Sequence, residues 1–329
     1  MEHFHGISDM SPLVNETLPT VVDDIYQLSP ALIALRTAYI ALTSLVIILA
    51  NVLTLAVMWR ARGDFPPGST KLVMSSLALS DLTVGAMTTL CVPLSVMDSW
   101  PFGDLACTLV CSAATLASSI SIVNLMSLTL DRLVAVTKPF SYPTLMSRNR
   151  VLCLTLFQWI GLTAAVAIVM ATVRPTVRYN RAAVMCLMET GEEALPLDVN
   201  FLCLTLIFPI ATMMGIYAKL IHTSNQQASK INTINTTSRK EGNSAKAGSG
   251  KAVRLFCVVV VVYTVCFLPF SAARIYADLH PRTPLPPALE FVCAWLIVSN
   301  SFWNFIIYIL MNGTFRKLAK QILQQLFKR

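Results

Sequence analysis

Seven stretches of the chain are built almost wholly from apolar side chains: Thr37–Trp59, Leu72–Met97, Leu105–Leu130, Val151–Val173, Val199–Ala218, Leu255–Ala273 and Phe291–Thr314. A bilayer core of roughly 30 Å is crossed by about 20 helical residues, so each stretch is long enough to span it. Six hold no Asp, Glu, Lys or Arg, and the second holds one acid, Asp81. Pro209 and Pro269 lie inside two of the runs. In a membrane bundle neighbouring helices can satisfy the carbonyls that a proline frees, so the runs stay helical. The pattern predicts an all-α membrane protein, a seven-transmembrane helix bundle.

Beyond the last run the period changes. Phe315, Leu318, Ile322, Leu323, Leu326 and Phe327 recur at helical spacing among Arg316, Lys317, Lys320 and Lys328. That spacing predicts a C-terminal amphipathic helix on the membrane surface, its cations toward anionic lipid headgroups; an ordinary soluble helix is the plainer alternative. Three segments result: a tail over residues 1–34, a bundle over 35–314 and a surface helix over 315–329. The longest connection, residues 219–254, is rich in Ser, Thr, Asn, Gly and Lys without apolar periodicity before Ala252. Its centre is expected to be disordered.

Composition fits a lipid solvent: 55% of residues are hydrophobic and 13% charged, against roughly a quarter charged in soluble chains. The net charge of +8 sits in short segments between apolar runs, which points to a membrane surface and away from nucleic acid. Lys and Arg number 19 in residues 60–71, 131–150, 219–254 and 315–329, and 6 in the alternate segments. The more basic side faces the cytoplasm. The chain is expected as a multi-pass plasma-membrane protein, its N-terminus extracellular and its C-terminus cytoplasmic. Asn15-Glu16-Thr17 is then an external glycosylation sequon, whereas the matching triplets at Asn235 and Asn312 fall on the cytoplasmic side. The first thirty residues lack a cleavable-signal pattern, so the first span is expected to direct insertion. Neither a catalytic dyad nor Cys or His at metal spacing occurs, which argues against an intramembrane enzyme and a metal cofactor.

Short motifs run through every span. They are Asn51; Leu77-Ala78-Leu79-Ser80-Asp81; Trp100-Pro101-Phe102-Gly103 before Cys107; and Asp131-Arg132-Leu133 with Pro139 beyond. Trp159, Pro209 with Tyr217, Cys266-Phe267-Leu268-Pro269, and Asn300-Ser301 with Asn304, Tyr308 and Phe315 complete them. In this order and spacing the chain resembles the rhodopsin-like (class A) G-protein-coupled receptors over nearly its whole length. The external Trp-Pro-Phe-Gly and the Asn300-Ser301 pair are similar to biogenic-amine receptors. The resemblance implies a receptor that passes an extracellular ligand signal to a heterotrimeric G protein, with arrestin and a receptor kinase as further partners.

Cys107 heads the third span and Cys186 is the lone cysteine of an external loop; by themselves they read as a bridge or as two free thiols. The resemblance implies the bridge. Asp81 is an acid in mid-membrane, costly unless paired, hydrated or kept neutral. Family members hold an allosteric sodium ion there, and the matching oxygen donors are Asp81, Ser121, Asn300, Ser301 and Asn304. Arg132 lies about 37 Å along its helix from Cys107 and reaches the cytoplasmic face, where a solvated surface arginine is the bland reading. The resemblance makes Asp131, Arg132, Tyr217, Phe267, Pro269 and Tyr308 an activation switch.

The matching external pocket comprises Ala114, Thr115, Ser118 and Ser119, then Phe201 and Thr205. Phe267, Phe270, Ser271 and Arg274 follow from the sixth span, with Ala294 and Val298 from the seventh. Amine receptors carry an aspartate where this chain has Ala114, and an unpaired buried cation is costly, so a conventional amine is disfavoured. Arg274 favours an acidic or strongly hydrogen-bonding ligand, or simply snorkels to the interface. The acidic Glu189, Glu192, Glu193 and Asp198 leave room for a cationic peptide.

Other positions depart from the family pattern, and the missing clamp among them is expected to leave the resting state weakly held. Leu133 replaces the triplet's tyrosine, Phe305 the proline after Asn304, and Ser249 or its neighbours stand where a clamping acid is usual. Raised basal signalling is the expectation. Val298 stands where a light sensor has its lysine, which excludes an opsin. A lone buried acid fits a transporter poorly. The remaining alternative is a receptor-like chain that no longer answers a ligand and acts as a dimer partner or constitutive signaller.

Overall fold

The computed structural model describes residues 28–61, 68–189, 191, 193–234 and 239–326; the sequons at Asn15 and Asn235 lie outside them. Among the described residues seven helices are long and apolar enough to cross a membrane. They comprise α1 (Pro30–Arg60), α2 (Gly68–Met97), α3 (Gly103–Thr137), α5 (Arg148–Thr172), a fifth span over Leu195–Thr223, α8 (Arg239–Leu279) and α9 (Pro287–Met311). A one-turn helix, α4 (Tyr142–Leu145), joins α3 to α5. The fifth span starts as α6 (Leu195–Leu202), passes through a π-helical turn at Cys203–Ile207 and continues as α7 (Phe208–Ile234).

Helix ends follow capping chemistry more than hydropathy. The chain enters α1 at Pro30, inside the stretch read as tail, because Ser29 accepts from Leu32 N–H and a proline suits the first helical position. The π turn precedes Pro209, which has no N–H, and Thr205 returns its hydroxyl to the Phe201 carbonyl at 2.7 Å. Of the connection 219–254, α7 runs to Ile234 and α8 begins at Arg239; its centre at 235–238, expected to be disordered, lies outside the described residues. Adding residues to an existing helix avoids the costly nucleus, so Lys, Gln and Ala extend it without an apolar face.

The bundle is inverted relative to a soluble protein. On α5 only Val151 is buried, and Leu154, Phe157 and Ile160 face outward. Polar side chains collect inside: Asn51, Ser80, Asp81, Ser121, Asn124, Asn300 and Asn304 are all buried. Without water, each must find a partner in the protein. Ser76 accepts from both Asn124 and Trp159, at 3.0 and 2.9 Å, and so ties α2, α3 and α5 together. Gly85 lets α1 and α2 close up, since a Cβ there would sit 3.0 Å from Ile47 and Ile48 side-chain atoms.

One end of the bundle carries a hairpin, β1 (Val177–Asn180) and β2 (Met185–Met188), antiparallel with Tyr179 opposite Cys186. A Cys107–Cys186 disulfide fastens it to the head of α3. At the other end α10 (Gly313–Leu326) turns off α9 at Asn312, whose side-chain oxygen accepts from Thr314 and Phe315 N–H. Phe315 and Ala319 are buried against Val57, Met58 and Met74, so α10 packs on α1 and α2 as well as presenting Arg316, Lys317 and Lys320 outward.

Candidate functional site

Asp81 is completely buried at the centre of the bundle. One carboxylate oxygen accepts from the Ser121 hydroxyl at 3.2 Å and the other from Asn304 Nδ2 at 3.1 Å. Ser301 also hydrogen-bonds to it, and the Ser301 carbonyl accepts in turn from Asn51 Nδ2 at 2.9 Å. The neutral donors around the acid come from α3 and α9, converging on α2. A carboxyl group ringed by neutral oxygens and amides suits a small hard cation.

Toward the hairpin, a cavity of about 130 Å³ opens above this cluster. Its floor includes Ser121, Asn300 and Ser301, and its roof is Met185, Cys186 and Leu187 of β2. Ala114, Thr115, Ser118, Phe201, Phe267, Phe270 and Val298 line it, as the expected pocket had them. Ser119, Thr205, Ser271, Arg274 and Ala294 lie outside its wall. Ser119 is a helical step from Ser118 and bonds back to the Thr115 carbonyl. Thr205 is turned to its own backbone, and Ser271 is 2% exposed. Ala294 is covered by the hairpin.

Arg274 neither snorkels nor points into the cavity. Its Nη2 lies 2.9 Å from Asp198 Oδ2, its Nε donates to the same oxygen, and its Nη1 donates to the Met188 carbonyl. The acid that was read as a peptide contact is its counter-ion.

The hairpin tip is the part that sequence reasoning missed. Ala183 and Val184 are completely buried with Ile40, Leu94, Ala294 and Trp295. Trp295 Nε1 donates to the Ala183 carbonyl at 2.9 Å. Val184 has φ +58, rare for a β-branched residue, and its N–H bonds to the Asn180 carbonyl. Arg36 reaches over from α1 to donate to Ser95, Asp98 and the Arg181 carbonyl. Tyr179 donates to the Leu94 carbonyl, and burial pushes its hydroxyl pKa up. The one local signal was Arg36 itself, a lone cation just before an apolar run.

At the opposite end a second cavity of about 290 Å³ is lined by Arg132, Tyr217, Asn304 and Tyr308 among others. Arg132 is 52% exposed, and its Nε stands 3.9 Å from Asp131. Asp131 accepts shorter bonds from Thr70 and Tyr142, at 2.8 and 2.9 Å. The Tyr308 hydroxyl is buried without a hydrogen-bond partner. Pro269 lies inside α8 between Phe267 and Phe270 of the first cavity's wall, and toward the second cavity Phe267 stacks on Tyr263 with centroids 4.4 Å apart.

Comparison with known proteins agrees with this architecture. The chain is 27% identical over 254 residues to the histamine H2 receptor of Rattus norvegicus, covering 75% of this chain and 68% of that one. It is 25% identical over 305 residues to a QRFP-like peptide receptor of Branchiostoma floridae, covering 88% and 78%. It is 26% identical over 261 residues to the tachykinin-like peptides receptor 99D of Drosophila melanogaster, covering 75% and 49%. The sequence profile described as 7 transmembrane receptor (rhodopsin family) matches residues 50–308. The chain belongs to the rhodopsin family of seven-transmembrane receptors.

Proposed function

We propose that this receptor takes an extracellular ligand in the cavity beneath the hairpin and passes the signal to a heterotrimeric G protein at the cavity beside Arg132. One observation carries the reading: the side chains around Asp81 belong to both cavities. Ser121, Asn300 and Ser301 form the floor of one, and Asn304 reaches the wall of the other. A ligand that shifts α3 against α9 therefore changes the groups holding Asp81 and, through Asn304, the setting of Tyr308. A ligand acts by binding one arrangement of the bundle better than the other.

The hairpin end faces outward and the end bearing α10 faces the cytoplasm, the side with most Lys and Arg. The chain sits in the plasma membrane. A sodium ion fits Asp81, with Ser121, Ser301, Asn300 and Asn304 as the other oxygen sources, and when bound it neutralises the buried charge. Asp131, held by Thr70 and Tyr142, leaves Arg132 free to face Tyr217, Tyr308 and an entering G-protein segment. This supports raised basal signalling. Arg316, Lys317 and Lys320 on α10 meet anionic lipid headgroups. Ser224, Thr236, Thr237, Ser238 and Ser244 are proposed targets of a receptor kinase, and arrestin would follow their phosphorylation. The relatives are named for histamine and for peptides, so they do not agree on a ligand.

Guanine-nucleotide exchange on purified G proteins, with the receptor in nanodiscs, tests this reading. The natural chain should accelerate exchange without added ligand, and Arg132→Ala should fall to the rate of empty discs. Equal rates for the natural chain, Arg132→Ala and empty discs, across all G-protein types, would end the signalling claim.

A further inference from the structure

We propose that the cavity beneath the hairpin is a site for a small uncharged lipophile carrying one hydroxyl or carbonyl group. The proposal rests on the receptor reading above, which makes this cavity the signal input, and adds the chemistry of what enters it.

Charge is the first argument. Every side chain lining the cavity is neutral, and the ionic groups nearest its mouth are already matched. Arg274 is held by Asp198 and the Met188 carbonyl. Glu290 accepts from Asn180, and Arg36 is bound to Asp98 and Ser95. An ammonium or carboxylate entering the cavity would lose its water and meet no opposite charge on the wall, a large penalty; the one acid beneath the floor, Asp81, is screened from the cavity by Ser121 and is also held by Asn304. Both amine and acid ligands are selected against by the wall itself.

Size is the second. At about 130 Å³ the cavity falls below the roughly 300–1,000 Å³ of typical ligand sites. An apolar cavity of about 150 Å³ accepts benzene, so this one encloses about one ring, and any short polar tail of the ligand reaches toward the wall or the mouth. The neighbouring space between α1, α2 and α9, where a larger ligand would extend, is filled by Ala183 and Val184 of the chain itself.

Hydrogen bonding is the third. The Thr88 and Thr115 hydroxyls donate to their own helix, to the Gly85 and Cys111 carbonyls. Among the described residues Ser118 has no hydrogen-bond partner, and its side chain lines the cavity. A ligand with one polar group can pair with Ser118 while Phe201, Phe267 and Phe270 enclose the rest. Among the described residues the wall's other polar side chain without a hydrogen bond is Asn300, in the floor beside the Asp81 cluster, so further polar groups placed away from the floor would go unmatched.

A matched set of probes decides the matter: phenethyl alcohol, phenethylamine, phenylacetate and ethylbenzene, near in size and different in charge and polarity. Saturable binding is measured on the full chain in nanodiscs by thermal unfolding and by ligand-observed NMR. The alcohol is expected to raise Tm saturably, with the amine and the acid giving no saturable shift. Ser118→Ala should weaken the alcohol about fivefold, the value of one hydrogen bond, and leave ethylbenzene unchanged. Ala114→Leu and Ser118→Phe, which fill the cavity, should abolish binding of both neutral probes; the milder variant guards against misfolding of the other.

The amine or the acid binding as tightly as the alcohol would overturn the proposal. So would an absent alcohol shift in a chain that unfolds cooperatively, or a shift that survives in a cooperatively folded filled variant, which would mean partition into the lipid. Ligand-free nucleotide exchange on the same discs is read separately. If exchange is absent while the alcohol binds as expected, the receptor reading fails and the ligand chemistry stands.

Discussion

At the hairpin end Arg274 is paired with Asp198, the backbone is pinned by a disulfide, and Ala183 and Val184 of the loop tip are wholly buried. At the end bearing α10 an arginine stands 52% exposed over a cavity more than twice as large, about 290 Å³ against 130 Å³. The same seven helices thus make one end that is fixed before anything arrives and another whose arginine stands open above a larger cavity. A preset wall discriminates by shape and charge, because its members need not be ordered when a ligand binds. An end that must accept a protein segment needs room and a cation without a fixed partner. The contrast predicts that damage at the hairpin end registers as stability, and damage at the far end as signalling.

The largest effect should come from the covalent pin. Cys186→Ser removes the link between the hairpin and α3, and native disulfides contribute about 2–5 kcal/mol. Cell-surface labelling should show little folded receptor, and Cys107→Ser should match it. The double variant should be no worse than either single one, since both break the same bond. Normal surface levels with an intact ligand cavity would mean that packing of Ala183 and Val184 holds the hairpin unaided.

Next in size is Arg36→Ala. This side chain is 8% exposed and joins α1 to Ser95, Asp98 and the hairpin turn. Removing it leaves the Ser95 carbonyl short of a partner and Asp98 with Arg181 alone, at about 2 kcal/mol. Thermal unfolding in nanodiscs should show a lower Tm with basal nucleotide exchange unchanged. Adding Asp98→Ala should recover little of the loss, because Arg181 still pairs with that acid in the single variant. A drop in exchange with no drop in Tm would contradict the division between the two ends.

What the sequence made legible follows the same division. The spans could be read because crossing a bilayer requires a long local run of one kind of side chain, and Asp81 stood out against such a run. Its partners Ser121 and Asn304 came from the family resemblance, for nothing local marks them. The hairpin tip was unreadable: Ala183 meets Trp295 across 112 residues, and two small apolar residues in a loop carry no period. Arg274 was visible as a cation, but its pairing with Asp198, 76 residues away, was not. The long polar connection carries no period either, yet on both sides of its centre, which lies outside the described residues, it continues a helix that is already formed.

The smallest effect lies at the signalling end, and it is the one whose sign is least obvious. Tyr142, in the short helix after α3, donates to Asp131 at 2.9 Å, while Thr70 donates to the other carboxylate oxygen at 2.8 Å. These bonds hold the acid where Arg132 Nε is 3.9 Å away, too far for a good hydrogen bond. Tyr142→Phe keeps the ring and its packing and frees one oxygen of Asp131. Among the described residues the nearest cation is Arg132, so the acid should turn toward it and draw it away from the cavity shared with Tyr217 and Tyr308. A shift of about 1 kcal/mol, typical of one hydrogen bond, corresponds to a fall of about fivefold in ligand-free nucleotide exchange, with Tm nearly unchanged. Thr70→Val should act in the same direction through the other oxygen. Were Tyr142→Phe to raise exchange instead, Tyr142 would be restraining Arg132 through Asp131, and the resting state would be better held than the missing sixth-helix acid suggests.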